Sequence, residues 1–264
     1  MSTTTTDTFT GERLPGGGDV EFGIDMERHL AAYRWAALRA TGKSVLDAGC
    51  GEGYGAAFLS QTAARVLACD RAEAIAIAST RYREPRLGFR AIDLMQLPSL
   101  GERFALVVSF QVIEHVPDPV GFLGALKACV APGGTLVVTT PNRLMSVSEN
   151  PYHLREWTAP ELEALAAPVL PGVRVLGMNV SERVLAYERA RGEQVQRILR
   201  LDPLGLRKLI PEAVVRVLFA RLARLVRRRV GATGALPEVG PDDFSVRDDD
   251  LARALDLVLV ATVA

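Results

Sequence analysis

Three histidines are the residues of this chain best suited to move a proton: His29, His115 and His153. Imidazole changes its charge near neutral pH, so a histidine can accept a proton from a reacting hydroxyl group. His115 follows an apolar run, His153 lies in a long loop, and His29 lies on a helical pattern where a surface role is expected. The sequence therefore offers His115 and His153 as candidate catalytic bases. Three residues near His153 could contact the molecule that carries the reacting hydroxyl group: Tyr152, Arg155 and Trp157.

A glycine-rich stretch is the part of the sequence most able to hold a ligand. A short apolar run contains Asp47, and glycines follow at 49, 51, 53 and 55 before a helical pattern begins at Ala56. Strand, glycine turn and helix open a doubly wound α/β domain, whose ligand lies over the carboxyl ends of the strands. Glycine serves there because it adopts positive φ and lets a ligand contact the backbone.

The ligand of this loop is not decided by the loop alone. The phosphate-loop pattern GxxxxGK[ST] is absent, which argues against nucleoside triphosphate hydrolysis. The dinucleotide pattern GxGxxG fails at Tyr54, but residues 51–56 fit the looser GxGxxA form, so NAD stays open. A turn without any ligand is the third alternative, and four alternating glycines behind an acid disfavour it.

Alternating strand and helix patterns surround the glycine loop. The predicted strands cover 44–48, 65–70, 87–93, 104–110, 135–140, 173–176 and 255–264, and the predicted helices cover 25–39, 72–83, 120–130 and 162–166. The first helix carries Leu30, Tyr33 and Leu38 close to one apolar face. Residues 131–134 (Ala-Pro-Gly-Gly) predict a tight turn before the fifth strand. The alternation predicts an α/β fold: a doubly wound, mostly parallel sheet of seven strands.

The segment before the last strand is longer than a minimal domain needs. We predict a tail and turn-rich lead over 1–24, a ligand-binding domain over 25–180 plus 251–264, and an inserted helical cap over 181–250. Residues 211–230 of the insertion predict a helix with an apolar stripe opposite many arginines. This basic helix fits peripheral contact with an anionic membrane or contact with a phosphate-bearing acceptor such as a lipid-linked glycan. It also fits a cap packed on the domain with a solvated basic face.

Composition narrows the class of protein. The chain has 264 residues and a formal net charge of zero, so no nucleic acid partner is expected. Its three cysteines, Cys50, Cys69 and Cys129, show no metal-ligand spacing and predict reduced thiols in a cytoplasmic protein. No signal peptide and no apolar run of membrane-spanning length is expected. The oligomeric state stays open.

The pattern D-x-G-x-G-x-G formed by Asp47, Gly49, Gly51 and Gly53 resembles motif I of the class I methyltransferases that use S-adenosylmethionine (SAM). The resemblance implies that the loop holds the amino acid part of SAM, that Asp70 accepts the ribose hydroxyls, and that Asp93 receives the adenine amino group. The cofactor-binding residues that it implies are Asp47, Gly49, Gly51, Gly53, Asp70, Arg71, Asp93, Leu94, Ser109 and Gln111.

Further segments resemble particular branches of that family. Residues 109–119 and Pro132-Gly133-Gly134 are similar to the ubiquinone-biosynthesis O-methyltransferases. Residues 10–13 and 150–156 look like bacterial methyltransferases found alongside the assembly of glycans and glycosylated metabolites. The resemblance therefore implies O-methylation of a hydroxyl on a glycan or glycosylated secondary metabolite. Some sugar O-methyltransferases use magnesium, which needs clustered carboxylates, and Glu114 and Asp118 do not make a convincing set, so no metal is predicted. The alternatives are methylation of a phenolic or lipid-quinone acceptor, and a non-catalytic SAM-binding partner protein.

Overall fold

The computed structural model of the chain describes residues 23–146, 150, 152–199 and 238–264. The described residues fall into two compact units. The large unit comprises residues 29–146, 154–179 and 244–264. The small unit comprises, of the described residues, 23–28, 150, 152–153, 180–199 and 238–243. The predicted domain boundaries remain a prediction, and the basic segment 211–230 lies outside the described residues.

Eight strands form one sheet in the described ranges. They are β1 Ser44–Ala48, β2 Arg65–Asp70, β3 Leu87–Ala91, β4 Phe104–Phe110, β5 Val130–Pro141, β6 Arg174–Val180, β7 Phe244–Arg247 and β8 Asp256–Thr262. Their spatial order is β3-β2-β1-β4-β5-β8-β6-β7. Neighbours from β3 to β5 run parallel, and β8 runs antiparallel to both β5 and β6.

Six α-helices accompany the strands in the same ranges. They are α1 Gly23–Ala40, α2 Tyr54–Ser60, α3 Ala72–Arg81, α4 Pro119–Ala128, α5 Ala159–Ala166 and α6 Glu182–Leu199. Short 3₁₀ helices cover Leu94–Leu100, Ile113–His115 and Pro241–Asp243. A capping box of Thr158 and Glu161 begins α5: the Thr158 side chain accepts the N–H of Glu161, and the Glu161 carboxylate accepts the N–H of Thr158. None of the described helices is both long and apolar enough to cross a membrane.

The sheet corrects the sequence-based prediction in two respects. The count of seven strands is wrong, because β7 is an eighth strand at one edge, only four residues long and half exposed. A four-residue strand at a sheet edge shows too little alternation of apolar and polar residues to be predicted from the sequence. Residues 131–134 begin β5 instead of forming a separate turn. Gly133 and Gly134 exchange backbone hydrogen bonds with Val263, so the segment pairs with the end of β8.

The apolar core of the large unit lies on both faces of the central strands. The side chains of β1 and β4 are almost all buried, as expected where helices cover both faces of a parallel sheet. Phe104, Phe122 and Trp157 are among its largest buried side chains. This core fixes the carboxyl ends of β1, β2 and β4, from which the candidate site is built.

Candidate cofactor and active site

The glycine loop follows β1 and is bound to the neighbouring strand. The backbone N–H groups of Gly49 and Cys50 donate to the carbonyl oxygen of Cys69 on β2, at 2.8 and 3.1 Å. Gly49, Gly51 and Gly53 have φ of 88°, 54° and 86°, values that L side chains rarely adopt. The loop is therefore held in one conformation that depends on glycine.

The glycines of the loop serve two purposes. A Cβ atom at Gly49 would lie 2.4 Å from Cγ2 of Val112, and one at Gly53 would lie 2.9 Å from Cβ of Ala78, so these two positions are needed for packing. A Cβ at Gly51 would meet nothing within 4 Å. The backbone at Gly51 therefore faces open space, as a loop that cradles a ligand requires.

Asp70, at the end of β2, is joined to this loop. Its Oδ2 atom accepts the N–H of Gly51 at 2.8 Å, and its Oδ1 atom accepts the N–H of Arg71 at 2.7 Å. A carboxylate offers about four acceptor positions, so Asp70 keeps acceptor capacity for hydroxyl groups. These contacts fit the role that the resemblance implies for Asp70 and place Arg71 beside the loop.

Asp93 follows β3, the next strand along the same sheet edge. Its carboxylate accepts the N–H of Met95 at 2.9 Å and caps the 3₁₀ helix that starts at Leu94. The Asp93 side chain is exposed. The predicted adenine contact and the cap are compatible, because one bond leaves the second carboxylate oxygen available.

Asp47 lies inside the protein, on β1 before the loop. Its side chain has 0% exposure, and the hydroxyl of Tyr33 donates to its Oδ2 atom at 3.2 Å. Burial raises the pKa of Asp47 to about 7, although the Tyr33 hydrogen bond acts in the opposite direction. Sequence reasoning missed this contact. A tyrosine on the apolar face of a helix was the available signal, because a buried phenol needs a partner for its hydroxyl group.

Two further side-chain contacts join the loop to helices. The guanidinium of Arg81 on α3 forms an ion pair with the buried carboxylate of Glu52. His29 on α1 lies with Nδ1 2.9 Å from the hydroxyl of Tyr54. His29, expected at the surface, therefore contacts the first residue of α2, and the loop is connected to α1 as well as α3.

Ser109 and Gln111 connect the ends of the central strands. The hydroxyl of Ser109 is buried and donates to the carbonyl oxygen of Ala48 at 2.8 Å. Gln111 has φ of 55°, and its backbone N–H donates to the carbonyl oxygen of Thr139 at 3.0 Å. Positive φ at a residue other than glycine is uncommon and is concentrated at functional sites.

His115 ends the short helix after β4, beside a buried acid. Its Nε2 atom lies 4.0 Å from Oε1 of Glu114, whose side chain is 1% exposed. The hydroxyl of Thr140 donates to Oε2 of Glu114 at 3.0 Å, which fixes the carboxylate. The Glu114 carboxylate thus lies next to the imidazole of His115. Glu114 was not among the predicted site residues.

The segment 154–157 borders the same strand ends. The N–H of Leu154 donates to the carbonyl oxygen of Glu114 at 2.8 Å, and Trp157 forms a β-bridge with Asn142 after β5. The Arg155 guanidinium lies 5.9 Å from the centre of the buried Trp157 ring. The backbone of this segment is thus anchored beside Glu114, and the Trp157 ring is packed in the core. The roles of Arg155 and Trp157 as acceptor contacts stay predictions.

His153 and Tyr152 belong to the small unit. The Nε2 atom of His153 lies 2.9 Å from Nδ2 of Asn150, and the N–H of Tyr152 donates to Oδ1 of Asn150 at 3.1 Å. These contacts define the local turn. The roles of His153 as a base and of Tyr152 as an acceptor contact, and the absence of a metal, stay predictions.

The sheet order, the glycine loop and the acids after β2 and β3 define a Rossmann-like methyltransferase fold. The family model described as "Methyltransferase domain" matches residues 24–170, more than half of the chain, and the chain belongs to this family. A crystal structure of a SAM-dependent methyltransferase from Thermotoga maritima has the same fold, with a TM-score of 0.59, 13% identity, and coverage of 97% of this chain and 98% of that chain.

Two relatives extend the comparison. A protein of Mycolicibacterium smegmatis named "Probable S-adenosylmethionine-dependent methyltransferase" is 40% identical over 163 residues, which are 60% of this chain and 62% of that protein. A ubiquinone biosynthesis O-methyltransferase of Rhizobium rhizogenes is 37% identical over 110 residues, 40% of this chain and 44% of that enzyme. The chain therefore spans less than two thirds of the length of these relatives.

Proposed function

We propose that this protein transfers a methyl group from SAM to a hydroxyl oxygen of an acceptor. The cofactor is S-adenosylmethionine. The observation that carries the proposal is the glycine loop, open at Gly51 and hydrogen-bonded through Gly51 N–H to Asp70, in a chain of the methyltransferase family. When bound, SAM supplies an electrophilic methyl group on a positively charged sulfur.

The protein contributes mainly by positioning. Asp70 orients the ribose, Asp93 and the backbone at Leu94 orient the adenine, and the loop holds the amino acid part. Methyl transfer is an in-line displacement, so a fixed arrangement of the two reactants removes much of the entropic barrier. The rigid anchoring of the loop to β2, α1 and α3 serves this purpose.

His115 acts as the base in this proposal. A sugar or alcohol hydroxyl is a weak nucleophile until its proton leaves, and a positioned imidazole accepts that proton. Glu114 stabilises the imidazolium that results, because its carboxylate oxygen lies 4.0 Å from Nε2. His153 is the alternative base.

The acceptor that we propose is a glycan or a glycosylated secondary metabolite, supported by the resemblance of residues 10–13 and 150–156. A phenolic or lipid-quinone acceptor is the second candidate, and the 37% identity to a ubiquinone biosynthesis O-methyltransferase favours it. A phenol ionises more readily than an alcohol, so its methylation depends less on a base. The two candidates therefore differ in their dependence on His115.

The test is methyl transfer from labelled SAM to panels of glycosylated and phenolic acceptors, with wild type, His115→Ala and His153→Ala. We expect His115→Ala to lower kcat by about 10² or more with the glycosylated acceptor, because general-base catalysis contributes that much. The Kd for SAM, from calorimetry, should stay within about twofold of wild type, a change of less than 1 kcal/mol.

Arg174→Gln is the matched surface control, since Arg174 pairs with Asp248 at an exposed position. Unchanged kcat in His115→Ala removes His115 as the base, and a loss confined to His153→Ala transfers that role to His153. Tight SAM binding without transfer to any acceptor would favour the non-catalytic SAM-binding partner protein.

A further inference from the structure

Tyr33 contacts three elements of the large unit with one ring. Its hydroxyl donates to Asp47 on β1, and the ring stacks edge-on against Phe110 of β4 with centroids 4.8 Å apart. A Cβ atom at Gly55 on α2 would lie 1.9 Å from Cζ of Tyr33, so the ring rests directly on that backbone. The Tyr33 side chain is buried and has no room to leave Asp47 without disturbing α2.

Among the described residues, no positively charged group acts on Asp47. The titratable groups that act on it are Tyr33 of α1, Cys50 of the loop, Tyr54 of α2, and Cys69 and Asp70 of β2. Burial raises the pKa of the thiols and phenols well above neutrality, so these groups stay uncharged. On β4, the residue paired with Asp47 is the apolar Val108. In the described part of the chain, neither Asp47 nor Asp70 forms an ion pair.

A buried carboxyl group in such surroundings responds strongly to a cation. Desolvation favours its neutral form, and an opposite charge brought nearby favours its ionised form. SAM carries a sulfonium charge that S-adenosylhomocysteine, its product, lacks. The electrostatic contribution to the binding free energy at this site therefore differs between SAM and S-adenosylhomocysteine.

We propose that Tyr33 is a positioning residue that fixes the Asp47 carboxyl group beneath the glycine loop, so that SAM binding expels a proton from Asp47 and loss of the sulfonium charge returns it. This inference rests on the proposed function. When SAM binds, the O–H bond of the carboxyl group breaks, its electron pair stays on the carboxylate, and the proton goes to solvent. Proton return after methyl transfer weakens the hold on the product and favours its release.

The experiment is isothermal titration calorimetry of SAM and S-adenosylhomocysteine with the full chain, across the neutral pH range, in buffers of different ionisation enthalpy. The dependence of the observed enthalpy on the buffer gives the number of protons released. For wild type below neutral pH, we expect SAM to release more protons than S-adenosylhomocysteine. Its affinity should rise with pH by up to about tenfold per pH unit, the limit for one linked proton.

Two variants separate the hydrogen bond by which Tyr33 positions Asp47 from the packing of the Tyr33 ring. Asp47→Asn should bind SAM without proton release and with affinity that does not change with pH. Tyr33→Phe keeps the ring but removes the hydrogen bond that favours the carboxylate, so the range of proton release should move to higher pH. Arg174→Gln is the control, because Arg174 forms an exposed ion pair with Asp248 and its substitution should leave proton release unchanged.

Equal proton release by wild type and Asp47→Asn overturns the inference, as does equal release by SAM and S-adenosylhomocysteine. If either variant fails to fold by circular dichroism, the wild-type comparison of the two ligands decides. SAM binding without proton release overturns this inference alone, whereas no SAM binding to folded wild type overturns the proposed function as well.

Discussion

Asp47 is a carboxyl group that the folded protein makes difficult to ionise. It is buried on a central strand and accepts a hydrogen bond from Tyr33, yet it has no cationic partner among the described residues. A purely structural residue at this position would be apolar. A buried acid that resists ionisation in the free protein has a clear role if a positively charged ligand binds beside it and stabilises its ionised form.

The pKa of Asp47 predicts how stability depends on pH in the absence of cofactor. An unfolded aspartate titrates near 3.9 and the folded one at about 7, so between these values the folded state binds more protons. The Asp47 contribution therefore lowers the free energy of unfolding as pH rises from about 4 to about 7. At about 1.4 kcal/mol for each pKa unit, the full loss is on the order of 4 kcal/mol.

Chemical denaturation of wild type and Asp47→Asn over this pH range measures the effect. Other groups affect both proteins alike, so the difference between the two curves isolates Asp47. We expect wild type to lose stability relative to Asp47→Asn as pH rises. A difference that is constant with pH would contradict the assignment.

Gly55→Ala tests the contact between Tyr33 and α2. The added methyl group would overlap the Tyr33 ring, so we expect a loss of about 2 kcal/mol in the free energy of unfolding and weaker SAM binding. Gly124→Ala is the matched control, because this glycine of α4 has ordinary φ and nothing within 4 Å of the added atom. That variant should be neutral or more stable by up to about 1 kcal/mol. Equal effects of the two substitutions would rule out the steric explanation.

At the scale of elements, α6 carries a buried ion cluster in the small unit. Arg191 pairs with Glu188 at 3.1 Å and with Asp25 at 3.2 Å, and both carboxylates are more than nine-tenths buried. These two acids raise the pKa of Arg191 despite its burial. One guanidinium therefore compensates two buried negative charges and ties α6 to the start of α1.

Removal of that guanidinium should be costly. We expect Arg191→Met to lower the free energy of unfolding of the small unit by about 3 kcal/mol, because it removes the ion pairs of Arg191 with two buried carboxylates. Arg197→Met on the same helix is the control, since Arg197 and Glu193 form an exposed pair 3.8 Å apart and should contribute little. Hydrogen exchange of α6 amides reports the local effect. Equal protection in the two variants would contradict the buried-cluster explanation.

The elements also show which structural features could be predicted from the sequence. β2 and β4 occupy the predicted residues, because continuous apolar runs between polar segments mark buried parallel strands. Leu38 was predicted on the apolar face of the first helix, but it is 80% exposed near the helix end. A periodic pattern does not reveal where a helix stops packing against the core.

The candidate site was predicted in its backbone outline but not in its side-chain contacts. The loop glycines and the acids after β2 and β3 follow from spacing, because the carboxyl ends of parallel strands share one edge. The contacts of Tyr33 with Asp47 and of Glu114 with His115 depend on side-chain direction and burial. Sequence periodicity carries no information on either, so these contacts required the structure.

At the scale of the whole molecule, the sheet is built from segments far apart in sequence. β8 is the last strand along the sequence in the described ranges, yet it lies between β5 and β6 and is hydrogen-bonded to both. The pairing of β5 with β8 joins residues 130–141 to residues 256–262. Such long-range pairing costs loop-closure entropy before it gains any contact, which slows folding.

The position of β8 therefore has a consequence during synthesis. Until residues 256–262 have been synthesised and have left the ribosome, β5 presents an unpaired edge rich in valine, and β6 and β7 have no partner that links them to the parallel strands. Exposed apolar edges attract other chains, so we expect the nascent protein to be most vulnerable to aggregation at this stage. Early termination anywhere before residue 256 would leave the sheet permanently in that divided state.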